Sequence, residues 1–175
     1  IKKLSKIAQP DIAIILNVHH VHSKNFNSLR DIALAKSEIF TAVDSVKTLI
    51  INRNIENFSL IKNLAKKKFI KNIISFGDKK NSDLYVTKKK KDKSTVVVNA
   101  KIKRLQSISF KIENNQEILE MSFLAMLGVL NTLKLDLNLI KKIRDLKLTE
   151  GRGQIKNISF KGKKLKIVDH AYNAS

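Results

Sequence analysis

Three short apolar runs, separated by segments with helical periodicity, constrain the fold of this chain more than any other feature. They span residues 10–18, 47–52 and 71–77, and each contains at least two isoleucines. Consecutive apolar residues are typical of strands buried on both faces, as in a parallel sheet. A helix beginning near Ser28 and another over 58–68 are predicted between them. Strand, helix, strand, helix, strand predicts an α/β fold with right-handed crossovers.

The pattern changes after residue 77. Short stretches that alternate polar and apolar residues predict antiparallel strands attached to the sheet, at 83–87, 94–103 and 107–112. Helical periodicity returns from Gln116, over 117–133 and 137–146. The last part, 157–175, is predicted to form a strand pair that turns at Gly162.

The charge of the chain raises the question of a polyanionic partner. There are 35 Lys+Arg against 15 Asp+Glu, a formal net charge of +20, and such a charge favours nucleic acid through counterion release. The lysines are spread along the chain, however, and the one dense block, at 88–93, is predicted to be a hairpin tip or loop. Aromatic residues make up 6% of the chain and form no base-stacking motif. We therefore expect no specific nucleic-acid partner, with a basic nucleic-acid-binding module as the alternative.

Composition also bears on compartment. The chain has no cysteine, which excludes disulfides and thiolate metal sites. No run of about eighteen apolar residues is present, so no membrane span is expected. The first residues lack a Met, and their short apolar run is not that of a signal peptide. A cytoplasmic protein is the expectation.

Lys36 is unusual because it falls on the apolar stripe of the first predicted helix. The stripe has three-and-four spacing and comprises Leu29, Ile32, Ala33, Ile39, Phe40 and Val43. Two interpretations remain open. The lysine stem packs at the edge of the stripe while its ammonium reaches water, or the lysine faces a crevice whose low dielectric favours the reactive neutral amine.

Three other groups of residues suggest a ligand site. His19, His20 and His22 follow the first strand, at the end where open α/β sheets bind ligands. Arg152 stands between two glycines, which suits a flexible linker that brings a guanidinium to a phosphate. Asp169 ends a predicted buried strand. Each has a plainer interpretation, namely a loop with surface histidines, an ordinary turn and a helix cap.

Several blocks of the sequence together resemble the Mur ligases of bacterial peptidoglycan synthesis. They are PDIAIILNVHHVHSKNFNSLRDIALAKSEIF, IIN, SFG, GRG and VDHAYNAS. The resemblance implies that residues 1–149 are part of a central ATP-binding domain, a mostly parallel sheet with helices plus a small antiparallel sheet. Residues 150–175 would then be the first strands of a Rossmann-like C-terminal domain. The phosphate-binding loop and a metal-site glutamate are expected before residue 1, and most of the C-terminal domain after Ser175, so the isolated fragment is predicted to be inactive.

The resemblance also implies roles for five residues. Lys36 is the counterpart of a lysine that is carbamylated, and carbamylation turns a cation into an oxygen ligand suited to Mg²⁺. His22 matches the metal-site histidine. Asn52, Arg152 and Asp169 match residues that bind ATP.

The implied reaction joins D-alanyl-D-alanine to UDP-N-acetylmuramoyl-tripeptide through an acyl phosphate, with ATP and Mg²⁺, in a protein that is monomeric at full length. Another Mur ligase or a folylpolyglutamate synthetase-like enzyme is the alternative within this class. Two departures from the family pattern stand out. Residues 114–122 lack the usual Gly-x-His-Asn element, and Asn54 replaces a frequent acidic residue.

Overall fold

The elements of the fold follow the predicted order closely. The computed structural model describes residues 1–19, 26–78, 80–103, 107–113, 119–145, 154–160 and 162–169. Along the chain the elements are α1 (Lys2–Ala8), β1 (Ile12–Ile15), α2 (Leu29–Thr41), β2 (Thr48–Asn52), α3 (Phe58–Lys67), β3 (Asn72–Gly77), β4 (Leu84–Lys91), β5 (Thr95–Ile102), β6 (Ser107–Glu113), α4 (Glu120–Thr132), a 3₁₀ helix (Leu137–Asp145), β7 (Gln154–Phe160) and β8 (Lys163–Asp169).

One six-stranded sheet contains the first six strands in sequence order, β1-β2-β3-β4-β5-β6. Strands β1 to β4 are parallel to one another, whereas β5 and β6 continue the sheet in antiparallel fashion. The predicted α/β architecture with attached antiparallel strands is therefore confirmed, but the predicted strand at 83–87, which corresponds to β4, pairs parallel with β3 and antiparallel only with β5. Strands β7 and β8 form a separate antiparallel pair, and Gly162 lies between them with a φ of 76°, a conformation that glycine adopts without a steric penalty.

Strand β2 is buried on both faces because the sheet carries helices on both sides. Its residues alternate in direction, as in any strand. Leu49 and Ile51 pack into a core with α2 and α3. Ile50 packs into a second core with α4, the 3₁₀ helix and the antiparallel strands. This two-sided burial explains why the strand is apolar without alternation.

Helix α2 begins where the sequence predicts, at the N-cap Ser28. The Ser28 hydroxyl oxygen accepts a hydrogen bond from the Asp31 backbone N–H at 3.2 Å, and the hydroxyl donates to the Asp31 carboxylate at 2.8 Å. The first contact satisfies a backbone N–H that a helix N-terminus otherwise leaves unpaired. The predicted stripe faces the core, with Ile32, Ala33 and Phe40 fully buried.

Three further predictions need correction. The first strand is shorter than 10–18 and covers only Ile12–Ile15. Lysines 88–91 belong to strand β4, and only the following residues form the hairpin tip. Pairing with the valine-rich strand β5 overrides the weak strand propensity of lysine, and Lys89 forms a salt bridge of 2.9 Å with the buried carboxylate of Glu120. The segment after α4 is a 3₁₀ helix rather than an α-helix.

Helix α1 was not predicted from the sequence. It is short, and the Lys2 backbone N–H at its start donates to the Glu38 carboxylate of α2 at 2.9 Å. A carboxylate at a helix N-terminus satisfies free N–H groups and complements the helix dipole. This contact joins residues 36 positions apart, which local periodicity cannot reveal. Within the described part of the chain, no helix has the length and apolar character needed to cross a membrane.

Candidate functional site

The carboxyl ends of β1, β2 and β3 meet at one edge of the sheet because the three strands are parallel and adjacent. Ligands of open α/β sheets bind at this edge. Each of the segments that follow these strands contains polar side chains: Asn17 and His19 after β1, Asn54 after β2, and Asp78 after β3. This edge is the candidate functional site.

Asn52, the last residue of β2, connects the ends of two strands. Its side-chain Nδ2 donates to the backbone carbonyl of Leu16 at 2.8 Å, just past β1. Its Oδ1 accepts a hydrogen bond from the Asn54 backbone N–H, also at 2.8 Å. The residue is only 3% exposed. Its carboxamide is therefore buried and bonded on both sides, as a buried polar group must be.

Asn54 extends the same network to the third strand. Its Nδ2 donates to the Asp78 carboxylate at 2.9 Å, and its Oδ1 accepts from the Asp78 backbone N–H at 3.3 Å. Gly77 lies beneath this contact, and a Cβ placed there would come within 2.6 Å of the Asn54 Oδ1. We call the side chains of Asn52, Asn54 and Asp78 the strand-end clasp.

A guanidinium lies next to the clasp. Arg53, between the two asparagines, stacks its guanidinium over the ring of Phe58 at 4.9 Å from the ring centre, and its backbone N–H donates to the Phe76 carbonyl at 2.7 Å. A guanidinium over the face of an aromatic ring is attracted to it. The edge of the sheet therefore carries a positive charge beside its amide groups.

The structure describes both the backbone and the side chain of two of the five predicted site residues, Asn52 and Lys36. Asn52 is the last residue of β2, at the strand-end edge, and its role toward ATP stays a prediction. Lys36 lies in the middle of α2 and is half-buried, next to the fully buried Ser37, so its two interpretations stay open. The backbone of Asp169 is the last residue of β8, but its side chain lies outside what the structure describes. His22 and Arg152 lie outside the described residues, as does His20, and His19 is exposed.

The described residues do not complete a metal site. Among them, no three His, Cys, Asp or Glu side chains lie close enough to hold one ion. Asp78 is a carboxylate at the edge, where its oxygens would suit a hard cation, but further ligands would have to come from other residues. A site that includes His22 and a carbamylated Lys36 is compatible with this donor chemistry and stays a prediction.

Among the described groups, the carboxylates with a shifted pKa lie outside the candidate functional site. A hydrogen bond from Lys68, together with its positive charge, lowers the pKa of Asp44. Hydrogen bonds from the backbone and side chain of Asn138 lower the pKa of Asp136. Neither carboxylate belongs to a segment that follows β1, β2 or β3.

Sequence reasoning missed two members of the site. It noted Asn54 only as a departure from a pattern, and it did not single out Asp78 or Arg53. A signal was present for each of them, because each is a polar or charged residue within two positions of the end of a buried parallel strand. Their mutual contacts were not predictable, since they depend on how β2 and β3 are paired.

Comparison with known proteins identifies the fold and the family. A family model described as the Mur ligase middle domain matches residues 2–134. A UDP-N-acetylmuramoyl-tripeptide--D-alanyl-D-alanine ligase from Rickettsia prowazekii is 30% identical over 180 residues, covering all of this chain and 38% of that protein. The chain thus spans well under half the length of this relative.

Solved structures agree with this match. MurF from Acinetobacter baumannii superposes with a TM-score of 0.81 at 23% identity, over 99% of this chain and 36% of that one. MurF ligase from Thermotoga maritima, solved in complex with ADP, superposes with a TM-score of 0.74 at 25% identity, over 100% of this chain and 38% of that one.

Proposed function

Because the chain belongs to the Mur ligase family, we propose that it is part of an ATP-dependent ligase that adds D-alanyl-D-alanine to UDP-N-acetylmuramoyl-tripeptide. The observation that carries this proposal is the similarity, along the entire chain, to a ligase of that name. The polar strand-end edge supports it, since this is where the fold class binds its ligands. The proposed protein acts in the cytoplasm as a monomer, with no specific nucleic-acid or membrane partner.

The proposed reaction has two steps. A carboxylate oxygen of the tripeptide attacks the γ-phosphorus of ATP, the bond to the β-phosphate oxygen breaks, and an acyl phosphate and ADP form. The amine of D-alanyl-D-alanine then attacks the acyl carbon, phosphate leaves, and the amine loses a proton as the amide forms. Positioning and charge stabilisation account for most of the catalysis of phosphoryl transfer.

Within this proposal, five residues of the chain have roles. His22 and carbamylated Lys36 would hold Mg²⁺, which offsets the charge on the transferred phosphoryl group. Asn52, Arg152 and Asp169 belong to the nucleotide side of the site. Residues 1–149 would form part of the central domain, and residues 150–175 would begin the C-terminal domain. The hairpin β7–β8, which is separate from the main sheet, supports a boundary in this region.

The test is to express the complete reading frame that encodes this chain and to measure phosphate release. We expect release only when ATP, UDP-N-acetylmuramoyl-tripeptide and D-alanyl-D-alanine are all present. Parallel reactions with a folate and glutamate, or with single amino acids in place of the dipeptide, examine the alternative ligases. Turnover with those substrates and none with the dipeptide would replace the proposed substrate.

The 175-residue chain alone serves as a control. It contains no Gly-rich phosphate loop, so we expect it neither to hydrolyse ATP nor to join the dipeptide. Measurable turnover by this chain alone would contradict the proposal that it is only part of the catalytic unit.

A further inference from the structure

We propose that Asn52 is a positioning residue, which holds the segment leaving β1 against the turn after β2 and thereby sets the geometry of the nucleotide side of the site. The structural part of this inference rests on the contacts of the strand-end clasp. Its kinetic consequence rests on the proposed function.

The burial of Asn52 argues against direct contact with a ligand. Only 3% of the residue is exposed, so a bound nucleotide has little surface to touch. The four residues before it, Thr48–Ile51, are also buried, and an apolar residue at position 52 would simply continue that pattern. A buried carboxamide costs free energy unless its donor and acceptor are both paired. Asn52 meets this requirement through two hydrogen bonds of fixed direction.

Those two hydrogen bonds hold the segments that would carry the chemistry. The Leu16 carbonyl, which accepts from Asn52 Nδ2, lies three residues before His19 and six before His22. The Asn54 N–H, which donates to Asn52 Oδ1, belongs to the turn that also carries Arg53. Functional groups on loops need anchoring to rigid elements to keep their geometry. Asn52 supplies such an anchor from within the sheet.

Asn54 connects the turn after β2 to the end of β3. It is bonded to both the carboxylate and the backbone N–H of Asp78. A side chain at position 77 would disturb this contact, since a Cβ there would lie 2.6 Å from the Asn54 Oδ1. The clasp therefore couples three strand ends, with Asn52 buried and both Asn54 and Asp78 exposed.

Hydrogen exchange of the 175-residue chain tests the structural part. In Asn52→Leu, whose side chain has the same branched shape but no polar group, we expect exchange of the Asn54 amide and of residues 17–19 to accelerate at least tenfold. In Asn54→Ala we expect faster exchange at Asp78 while residues 17–19 are unchanged. Asn63→Ala, at an exposed asparagine of α3, is the matched control.

The pattern of exchange decides between positioning and a general contribution to stability. Acceleration confined to the strand-end segments, with the amides of Ile50 and Ile74 unchanged, supports positioning. Uniform acceleration throughout the sheet, or none at all, would overturn it. Should Asn52→Leu fail to fold, Asn52→Ala takes its place, because it removes the same two hydrogen bonds without adding bulk.

Kinetics of the full-length product test the consequence. For Asn52→Leu we expect KM for ATP to rise roughly 10- to 100-fold, since small displacements of positioned groups cost about this much, while KM for the dipeptide is unchanged. Accelerated exchange together with unaltered ATP kinetics would overturn the role in the nucleotide site. A wild-type product without ligase activity would count against the proposed function alone, because the exchange result stands independently.

Discussion

At the scale of the residue, Lys36 is the position whose role matters most for the proposed chemistry. It is half-buried on a helix whose neighbouring residues face the core. In the full-length product we expect Lys36→Ala to abolish ligation, because the oxygen ligand that we propose to form by carbamylation would be lost. A short carboxylic acid such as acetate, added to the reaction, should restore part of the activity by supplying an equivalent oxygen ligand.

The measurement is phosphate release with all three substrates, with and without acetate. Lys66→Ala, at an exposed lysine of α3, is the control and should retain full activity. Full activity of Lys36→Ala would show that this side chain only packs its stem at the edge of the stripe.

Gly77 permits a second prediction at this scale. We expect Gly77→Ala to destabilise the chain by about 1–3 kcal/mol, because Gly77 has a φ of 158°, which other residues rarely adopt, and because the new methyl group would meet the Asn54 Oδ1 at 2.6 Å. Urea unfolding monitored by circular dichroism gives the free energy of unfolding.

A double-mutant cycle identifies the cause of this destabilisation. If the clash with Asn54 is responsible, Gly77→Ala should cost less in an Asn54→Ala background, and the two changes should be non-additive. Additive effects would instead assign the cost of Gly77→Ala to the backbone conformation at that position.

At the scale of the element, the start of α2 determines how the loop from β1 enters the helix that carries Lys36. Ser28 caps this helix through its contacts with Asp31. We expect Ser28→Ala to lower the free energy of unfolding by about 1 kcal/mol, the typical value for loss of an N-cap. Ser59→Ala, at an exposed serine inside α3, should change it by less than about 0.5 kcal/mol. Equal changes in the free energy of unfolding for the two substitutions, measured by urea unfolding, would contradict the stabilising role of Ser28 as an N-cap.

At the scale of the whole molecule, the formal net charge of +20 predicts general attraction to polyanions rather than a specific nucleic-acid function. We expect weak binding to generic duplex DNA at low salt that disappears near physiological salt, because it depends on counterion release. Fluorescence anisotropy with labelled DNA over a range of salt concentrations measures it. Tight binding that persists at physiological salt, with a preference for one sequence, would favour the nucleic-acid-binding alternative.

Local patterns in the sequence determined much of this protein. The apolar runs predicted the parallel strands, Ser28 predicted the helix start, and Gly162 predicted the turn of the last hairpin. Each of these features depends on residues close together in the chain, so periodicity and capping rules apply directly. The resemblance to the Mur ligases rested on short blocks of this same local kind. It also implied a role for Asn52, whose contacts the sequence alone does not show.

Only the tertiary structure decided how these pieces act together. The lysines at 88–91 became a strand because β5 pairs with them, and α1 begins at a carboxylate contributed by α2. Likewise, Asn52 donates to a carbonyl 36 residues away, just past β1, and Asn54 donates to a carboxylate 24 residues away, just past β3. Hydrogen bonds between such distant segments follow from strand order and register, which burial of the whole sheet selects. The sequence therefore determined which residues end the strands, and the assembled sheet determined which of them bond to one another.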